Sequence, residues 1–201
     1  MKPDTVVFDL GGVLIDWDPR YLYWKILASE QEVDWFLSDI CPPEWNVRQD
    51  AGRSIADANA ERIAVHPDHA DLIRAFYGRW DEMLNGAIAG TVDILHALNA
   101  NGTPLYLLSN FSAEKFPRAR EIFDFFHVFE DIVISGRERM IKPDAAIFHR
   151  LTNRNGLEPS RCLFIDDMPA NVAGAKAAGM QSIQFTTPAR LREDLAGFDL
   201  L

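Results

Sequence analysis

Four short polar clusters in the sequence could carry out chemistry. Each one follows an apolar run that is typical of a buried strand, or lies in the loop beyond such a run. Two clusters supply carboxylates, one supplies a hydroxyl and an amide, and one supplies a lysine. The clusters are Asp9-Leu10-Gly11-Gly12, Ser109-Asn110, Lys142-Pro143 and Asp166-Asp167. In open α/β sheets ligands bind at the carboxyl ends of the strands, so we expect these clusters to converge at one edge of a sheet.

The carboxylates of the first and last clusters would repel one another if they converged, and they stay ionised only where a cation compensates them. One lysine can balance only part of the negative charge of three acids, so a bound metal ion explains their convergence more simply. Carboxylate oxygens suit Mg²⁺. A carboxylate can also attack phosphorus and form an aspartyl phosphate. Phosphoryl oxygens would then be bound by the metal, Lys142, the Ser109 hydroxyl and backbone amides near Gly11-Gly12.

An alternation of strands and helices is predicted to position the clusters. The run Val6-Val7-Phe8 suits a strand buried on both faces, and helical and strand-like stretches alternate from Thr91 to the end of the chain. Such alternation predicts right-handed βαβ units. The expected fold class is therefore α/β, with a doubly wound, Rossmann-like parallel sheet.

The segment after the first strand differs from the rest of the chain. It is rich in Trp, Arg, Asp and Ala, it contains no strand-like run, and its apolar residues fall at helical spacing. Ser29 with Glu32 resembles the capping box of a helix start. We expect residues 17–89 to form an all-helical insertion after the first strand. Residues 1–16 and 90–201 would then form the α/β core.

Composition restricts the classes of partner. The 201-residue chain has a formal net charge of −10 and a pI near 4.9, which argues against nucleic acid or an anionic membrane as the main partner. Cys41 and Cys162 have no ligand-like spacing, so neither a disulfide framework nor a zinc site is indicated. No signal-peptide region or membrane-spanning stretch is found, which predicts a cytoplasmic protein. The sequence does not determine the oligomeric state.

Four motifs, in this order, resemble those of the haloacid dehalogenase-like hydrolase superfamily: FDLGGVL, LLSN, IKPD and FIDDMPANVAGAKAAGM. The segment between the first two resembles the small helical cap of that superfamily. Within it, WNVRQDAGRS is similar to the cap of the bacterial phosphatase-like branch. The resemblance implies a Mg²⁺-dependent phosphatase that hydrolyses a small phosphorylated metabolite, of the sugar or nucleotide phosphate class, through an aspartyl phosphate.

The resemblance also implies a role for the residues of the first three clusters. Asp9 would be the nucleophile and a metal ligand through its side chain, and Gly11 would offer its backbone carbonyl to the metal. Ser109 would bind the transferred phosphoryl group, with Asn110 beside it. Lys142 would neutralise both the nucleophile and the substrate.

The last cluster would complete the metal site. By resemblance, Asp167 is the direct ligand, Asp166 acts through water, and Asn171 occupies a supporting position.

Gly11 departs from the family pattern. The phosphatases of this superfamily usually carry a second Asp at that position, which protonates the leaving oxygen and later activates water. Losing a general acid typically costs about 10²- to 10⁴-fold in rate. Asp16 or Asp18 could replace it from beyond the strand, although each also fits the description of a solvated turn acid. A good leaving group, such as an anomeric phosphate, would need less help.

Two other functions are compatible with parts of the pattern. A 2-haloacid dehalogenase would use Asp9 to displace halide from carbon through an aspartyl ester. It needs no proton donor, but such enzymes work without metal and replace the paired acids by neutral residues. The acids Asp166 and Asp167 therefore favour the phosphatase. A degenerate, non-catalytic binding protein is disfavoured because Asp9, Lys142 and both late acids are retained.

The tryptophans of the segment 17–89 allow a prediction about the cap. Trp24 and Trp80 lie at helical spacing with other apolar residues, which favours core positions. Trp45 follows two prolines in an expected loop. It could face the active site as a specificity element or belong to the core.

Overall fold

The computed structural model describes residues 2–201. Strands in this part of the chain are β1 Thr5–Phe8, β2 Ile15–Trp17, β3 Leu84–Ala87, β4 Leu105–Ser109, β5 Asp131–Ile134, β6 Cys162–Asp166 and β7 Gln181–Gln184. The α-helices are α1 Arg20–Ile26, α2 Glu30–Trp35, α3 Pro43–Asp50, α4 Ile55–Val65, α5 Ala70–Gly78, α6 Ala89–Ala100, α7 Phe116–Ile122, α8 Ser135–Glu138, α9 Ala145–Asn155, α10 Pro169–Ala177 and α11 Pro188–Gly197. None of the helices described combines the length and apolar character needed to cross a membrane.

Five parallel strands form the main sheet, in the order β5-β4-β1-β6-β7. The first strand is central, with Phe8 opposite Leu107 on one side and Ile165 on the other. All four residues of β1 are buried, because helices cover both faces of the sheet. The predicted doubly wound α/β fold is confirmed. Its topology places Asp9, directly after β1, in the middle of the sheet edge.

A two-stranded antiparallel ribbon of β2 and β3 connects to the helices α1–α5. The expectation of no strand between residues 17 and 90 is wrong for β3, a four-residue strand of sequence LNGA, because Asn, Gly and Ala are residues that are depleted in strands. One apolar core runs from the helices α1–α5 to one face of the main sheet, so Tyr23 and Phe36 belong to the same cluster as Phe8. The division into a core and a cap at residues 17–89 therefore stays a proposal.

The tryptophans of the segment 17–89 differ in part from the expectation. Trp45 is buried against Phe76 and Tyr77 and is a core residue, with its indole nitrogen 3.4 Å from the carbonyl oxygen of Ala58. The idea that it faces the active site is wrong. Trp24 is 50% exposed, so its predicted core position is also wrong.

Helix α10 lies unusually close to the loop that carries Lys142. A Cβ atom at Gly174 would lie 2.5 Å from the carbonyl oxygen of Pro143 and 2.9 Å from its Cβ. Backbone atoms cannot move aside as easily as the end of a side chain. The absence of a side chain at Gly174 therefore sets the distance between this helix and the loop.

Replacement of Gly174 by Ala is expected to lower the free energy of unfolding by about 1–3 kcal/mol, because the added methyl group overpacks this contact. Thermal unfolding measures the effect. Gly197→Ala is the matched control, since a Cβ there meets no atom within 4 Å. Equal stability of the two variants would show that the loop can move away from the helix without cost.

Candidate active site

A cavity of about 640 Å³ opens at the carboxyl edge of the main sheet. The four clusters predicted from the sequence meet there, and every predicted site residue except Asp166 lines the cavity wall. The lining residues among them are Asp9, Gly11, Gly12, Ser109, Asn110, Lys142 and Asp167. Asp166 lies beneath the wall and is fully buried. The convergence follows from the parallel order of the strands, because β1, β4 and β6 are neighbours.

Asp9 lies directly after β1 and is only 7% exposed. Its backbone amide donates a hydrogen bond of 2.9 Å to the carbonyl of Ile165, which fixes the residue against β6. Its Oδ1 atom is 2.8 Å from Lys142 Nζ, as an ion pair without an aligned hydrogen bond. Burial raises the pKa of Asp9 to about 7 against the opposing effect of Lys142, and the nearby Asp166 raises it further. The carboxylate is thus poorly compensated by the protein alone.

Lys142 is almost completely buried between two carboxylates. Its Nζ atom is 2.8 Å from Asp9 Oδ1 and 2.6 Å from Asp166 Oδ2. Burial on its own would lower the pKa of this lysine, but Asp9 and Asp166 together outweigh that effect and the pKa is raised. Lys142 is therefore a permanent positive charge at neutral pH.

Asn110 holds the backbone of Lys142 in place. Its amide nitrogen donates to the Lys142 carbonyl at 3.0 Å, and its Oδ1 accepts from the Lys142 amide at 2.8 Å. This reciprocal pair joins the end of β4 to the loop before α9. Asn110 therefore positions Lys142, and its predicted contact with substrate stays a prediction.

Asp166 is held by the protein on both carboxylate oxygens. Asn171 donates to Oδ1 and Oδ2 at 3.0 and 3.1 Å, the Met168 amide donates to Oδ1 at 2.8 Å, and Lys142 donates to Oδ2 at 2.6 Å. Asp167, by contrast, lines the cavity. Its pKa is raised, mainly by burial and to a smaller extent by the negative charge of Asp166. That Asp167 is a direct metal ligand and that Asp166 acts through water stays a prediction, with which these contacts agree.

The three acids fit a divalent cation. One ligand atom from each of Asp9, Asp166 and Asp167 lies within 4.8 Å of the others. Oδ1 of Asp9 is buried and accepts no hydrogen bond, and the pKa of Asp9 is raised, so added positive charge would stabilise the ionised group. Gly12 has a φ of +73° and a Cβ there would lie 2.7 Å from Asp167 Oδ2. Glycine at this position lets the loop approach the acid closely.

The remaining predicted residues lie at the cavity wall. Ser109 ends β4 and is 1% exposed. A Cβ atom at Gly11 would meet no atom within 4 Å, so the glycine is not required there by a close contact.

The structure does not bring Asp16 or Asp18 into the cavity. Asp16 accepts hydrogen bonds from Tyr21 and Asn85, and Asp18 accepts one from the amide of Arg20 at the start of α1. Neither lines the wall. The proposal that one of them replaces the missing acid is not supported by this arrangement.

Sequence reasoning missed several residues of the cavity wall. Helix α3 contributes Asn46, Val47 and Asp50. Tyr77 comes from α5, and Trp80 begins the short 3₁₀ helix that follows α5. Asp50 stands within the stretch WNVRQDAGRS, and an acid at the end of a helix in that stretch was the signal available.

The chain belongs to the haloacid dehalogenase-like hydrolases, since the model of that family matches residues 3–179. A phosphoglycolate phosphatase of Escherichia coli O157:H7 is 30% identical, over 90% of this chain and 80% of the relative. A sesquiterpene phosphatase of Aspergillus oryzae is 25% identical, over 90% of this chain and 89% of the relative.

Solved structures of the same family share the fold. A HAD family enzyme from Bacteroides thetaiotaomicron, in complex with magnesium and inorganic phosphate, superposes with a TM-score of 0.69 at 22% identity, covering 92% of this chain and 95% of that one. L-2-haloacid dehalogenase from Xanthobacter autotrophicus gives a TM-score of 0.65 at 16% identity, covering 99% and 84%. At these identities the likeness establishes the fold alone.

Proposed function

We propose that the chain is a Mg²⁺-dependent phosphatase that hydrolyses a small phosphorylated metabolite through an aspartyl phosphate on Asp9. The observation that carries the proposal is the placement of Asp9. It is buried at the cavity floor, 2.8 Å from Lys142 Nζ, with Asp166 and Asp167 close enough to share one cation with it. A solvated strand-terminal acid would have no such surroundings.

The protein side chains would divide the work as follows. An oxygen of Asp9 attacks phosphorus, and the bond from phosphorus to the leaving oxygen breaks. Lys142 holds positive charge beside the attacking group, while the Ser109 hydroxyl and a backbone amide near Gly11 donate to phosphoryl oxygens. Water then attacks the aspartyl phosphate and releases inorganic phosphate. A bound Mg²⁺ would supply positive charge that compensates the acids and the phosphoryl group.

Asp9, Asp167 and the backbone carbonyl of Gly11 would hold the metal directly. Asp166 would act through water, because its oxygens already accept hydrogen bonds from Asn171, Met168 and Lys142.

The apolar side chains that line the cavity indicate a class of substrate. They include Trp17, Val47, Trp80 and Phe111. Among the described lining residues, Lys115 is the one basic group besides the ion-paired Lys142. A sugar face, a nucleobase or a hydrocarbon chain suits such a wall better than a second anionic group does. We therefore propose sugar, nucleoside or apolar organic phosphates ahead of phosphoglycolate, although relatives named for phosphoglycolate and for sesquiterpene are both similar to the chain.

One observation favours a second function. Gly11 supplies no proton donor, and halide needs none on leaving, so a 2-haloacid dehalogenase remains the alternative. Asp166 and Asp167 argue against it, because aspartyl ester chemistry at carbon has no use for a cation at this position.

A phosphate-release panel tests the proposal. The substrates are 4-nitrophenyl phosphate, glucose 1-phosphate, adenosine monophosphate, farnesyl phosphate and phosphoglycolate, each with Mg²⁺ and with a chelator. We expect turnover with Mg²⁺ that falls by at least about 10²-fold with the chelator, because three acids then lack compensation. Halide release from 2-chloropropionate is measured in parallel. Halide release that the chelator leaves unchanged would refute the phosphatase and establish the alternative.

A further inference from the structure

One acid in the cavity has no part in the proposed phosphoryl transfer. Asp50 is the last residue of α3, in the helical segment that covers the sheet edge, and it lines the same cavity as Asp9 and Gly11. It lies beside the ends of β4 and β5, because its backbone carbonyl accepts from the hydroxyl of Ser135, the residue directly after β5.

Hydrogen bonds hold Asp50 in a defined position. Its Oδ2 accepts from Asn46 Nδ2 at 3.1 Å, and Asn46 in turn accepts from the Tyr77 hydroxyl at 2.7 Å. Its backbone carbonyl accepts from the Ser135 hydroxyl at 2.5 Å, and the same hydroxyl accepts from the Phe111 amide at 2.9 Å. These contacts join α3 to the core near the ends of β4 and β5. Asp50 is thus held by α3 through its carboxyl group and by the core through its backbone carbonyl.

The surroundings of Asp50 favour its protonated form. Burial raises the pKa of Asp50 to about 7, and the negative charge of Asp9 adds to the shift, while the backbone of Ser112 and the charge of Lys142 oppose it. Within residues 2–201 no lysine or arginine forms an ion pair with Asp50. A carboxyl group in this state can donate a proton near neutral pH.

Gly11 leaves room for such a donor. A Cβ atom at Gly11 would meet no atom within 4 Å, and Gly11 contributes no side chain to the cavity that it lines together with Asp50. The sequence has no acid at position 11, and Asp50 of α3 is an acid of the same cavity that could donate the proton instead.

We propose that Asp50 is the general acid and base of this site, a proposal that rests on the phosphatase activity proposed above. When Asp9 attacks phosphorus, the bond to the leaving oxygen breaks, its electron pair passes to that oxygen, and the Asp50 carboxyl delivers its proton there to form an alcohol. In the second step the Asp50 carboxylate takes a proton from water as that water attacks the aspartyl phosphate. The products are inorganic phosphate, Asp9 as a carboxylate, and Asp50 protonated again.

The test compares two leaving groups in Asp50→Asn. An alkyl phosphate releases a strongly basic alkoxide that needs a proton, whereas 4-nitrophenyl phosphate releases a weak base that leaves without one. We expect kcat for transfer to Asp9 from the alkyl ester to fall by about 10²- to 10⁴-fold, and transfer from the nitrophenyl ester to fall by less than about tenfold. Rapid-mixing measurement of alcohol or nitrophenol release isolates the first step. Glu44→Gln, an exposed acid on the same helix, is the control and should change neither rate.

A second variant shows whether a rate loss in Asp50→Asn comes from loss of the acid or from damage to the fold. Adding Gly11→Asp to Asp50→Asn places a carboxyl group in the open space on the strand side. The double variant should recover at least about tenfold of the lost alkyl ester rate, because either acid can reach the same leaving oxygen.

The outcomes separate this inference from the proposed function. Wild-type protein that releases no phosphate from any ester would overturn the proposed function itself. If the wild type is active, an equal loss with both leaving groups would make Asp50 a positioning residue. Full alkyl ester activity in Asp50→Asn would likewise overturn its assignment as the acid. A selective alkyl loss with rescue by Gly11→Asp is the result that supports the assignment.

Discussion

Replacement of Asp9 by Asn is expected to lower kcat by at least about 10⁴-fold, as removal of a nucleophile does in other covalent mechanisms. The amide keeps the shape of the side chain but cannot form an acyl phosphate. Lys142 retains its second partner, since Asp166 Oδ2 is 2.6 Å from Nζ. The variant should therefore stay folded while it loses turnover. Phosphate release, and trapping of labelled phosphoenzyme from acid-quenched reactions, measure the loss.

Asp16→Asn is the matched control for this variant. It changes an acid close in the chain that hydrogen-bonds Tyr21 and Asn85 outside the cavity, and its kcat should remain within a few-fold of the wild type. Residual turnover in Asp9→Asn above about 1% of wild type, with no recovery of Asp by deamidation, would mean that another group attacks phosphorus.

The sequence was sufficient to place the strand-end residues. A buried apolar run followed by an acid, repeated in an alternating α/β pattern, fixes the end of the sheet at which Asp9, Ser109 and Asp167 must lie, because all parallel strands point the same way. The same reasoning could not show that Asp166 is already saturated with hydrogen bonds. That fact depends on where α10 brings Asn171 and the Met168 amide.

The packing of the helices α1–α5 was less predictable for a physical reason. Helical spacing shows that Tyr23 and Trp24 lie on a helix, but adjacent residues point about 100° apart, and only packing decides which one is buried. Tyr23 is fully buried and Trp24 is half exposed. Asp50 was missed for a related reason. The stretch WNVRQDAGRS contains this acid, but only the packing of α3 over the sheet edge brings it into the cavity of Asp9.

Lys142→Met is expected to destabilise the folded protein by about 3–5 kcal/mol and to remove most of its activity, because Asp9 and Asp166 then face each other without a buried cation. Methionine keeps much of the volume and the apolar stem of lysine, so loss of packing contributes little. Thermal or urea unfolding measures the stability, and phosphate release measures the activity. Lys176→Met, which removes an exposed lysine from α10, should change neither quantity appreciably.

A second substitution shows whether charge is the cause. Combining Lys142→Met with Asp166→Asn removes one of the two facing carboxylates and keeps an acceptor for the Met168 amide, so part of the lost stability should return. Activity should not return with it, because the charge beside the attacking oxygen of Asp9 is still missing. If the double variant were as unstable as the sum of the two single variants, the ion pairs of Lys142 would not stabilise the fold through charge. The destabilisation would then have to come from the packing of the lysine stem against Phe164, whose ring centroid is 5.2 Å from Nζ.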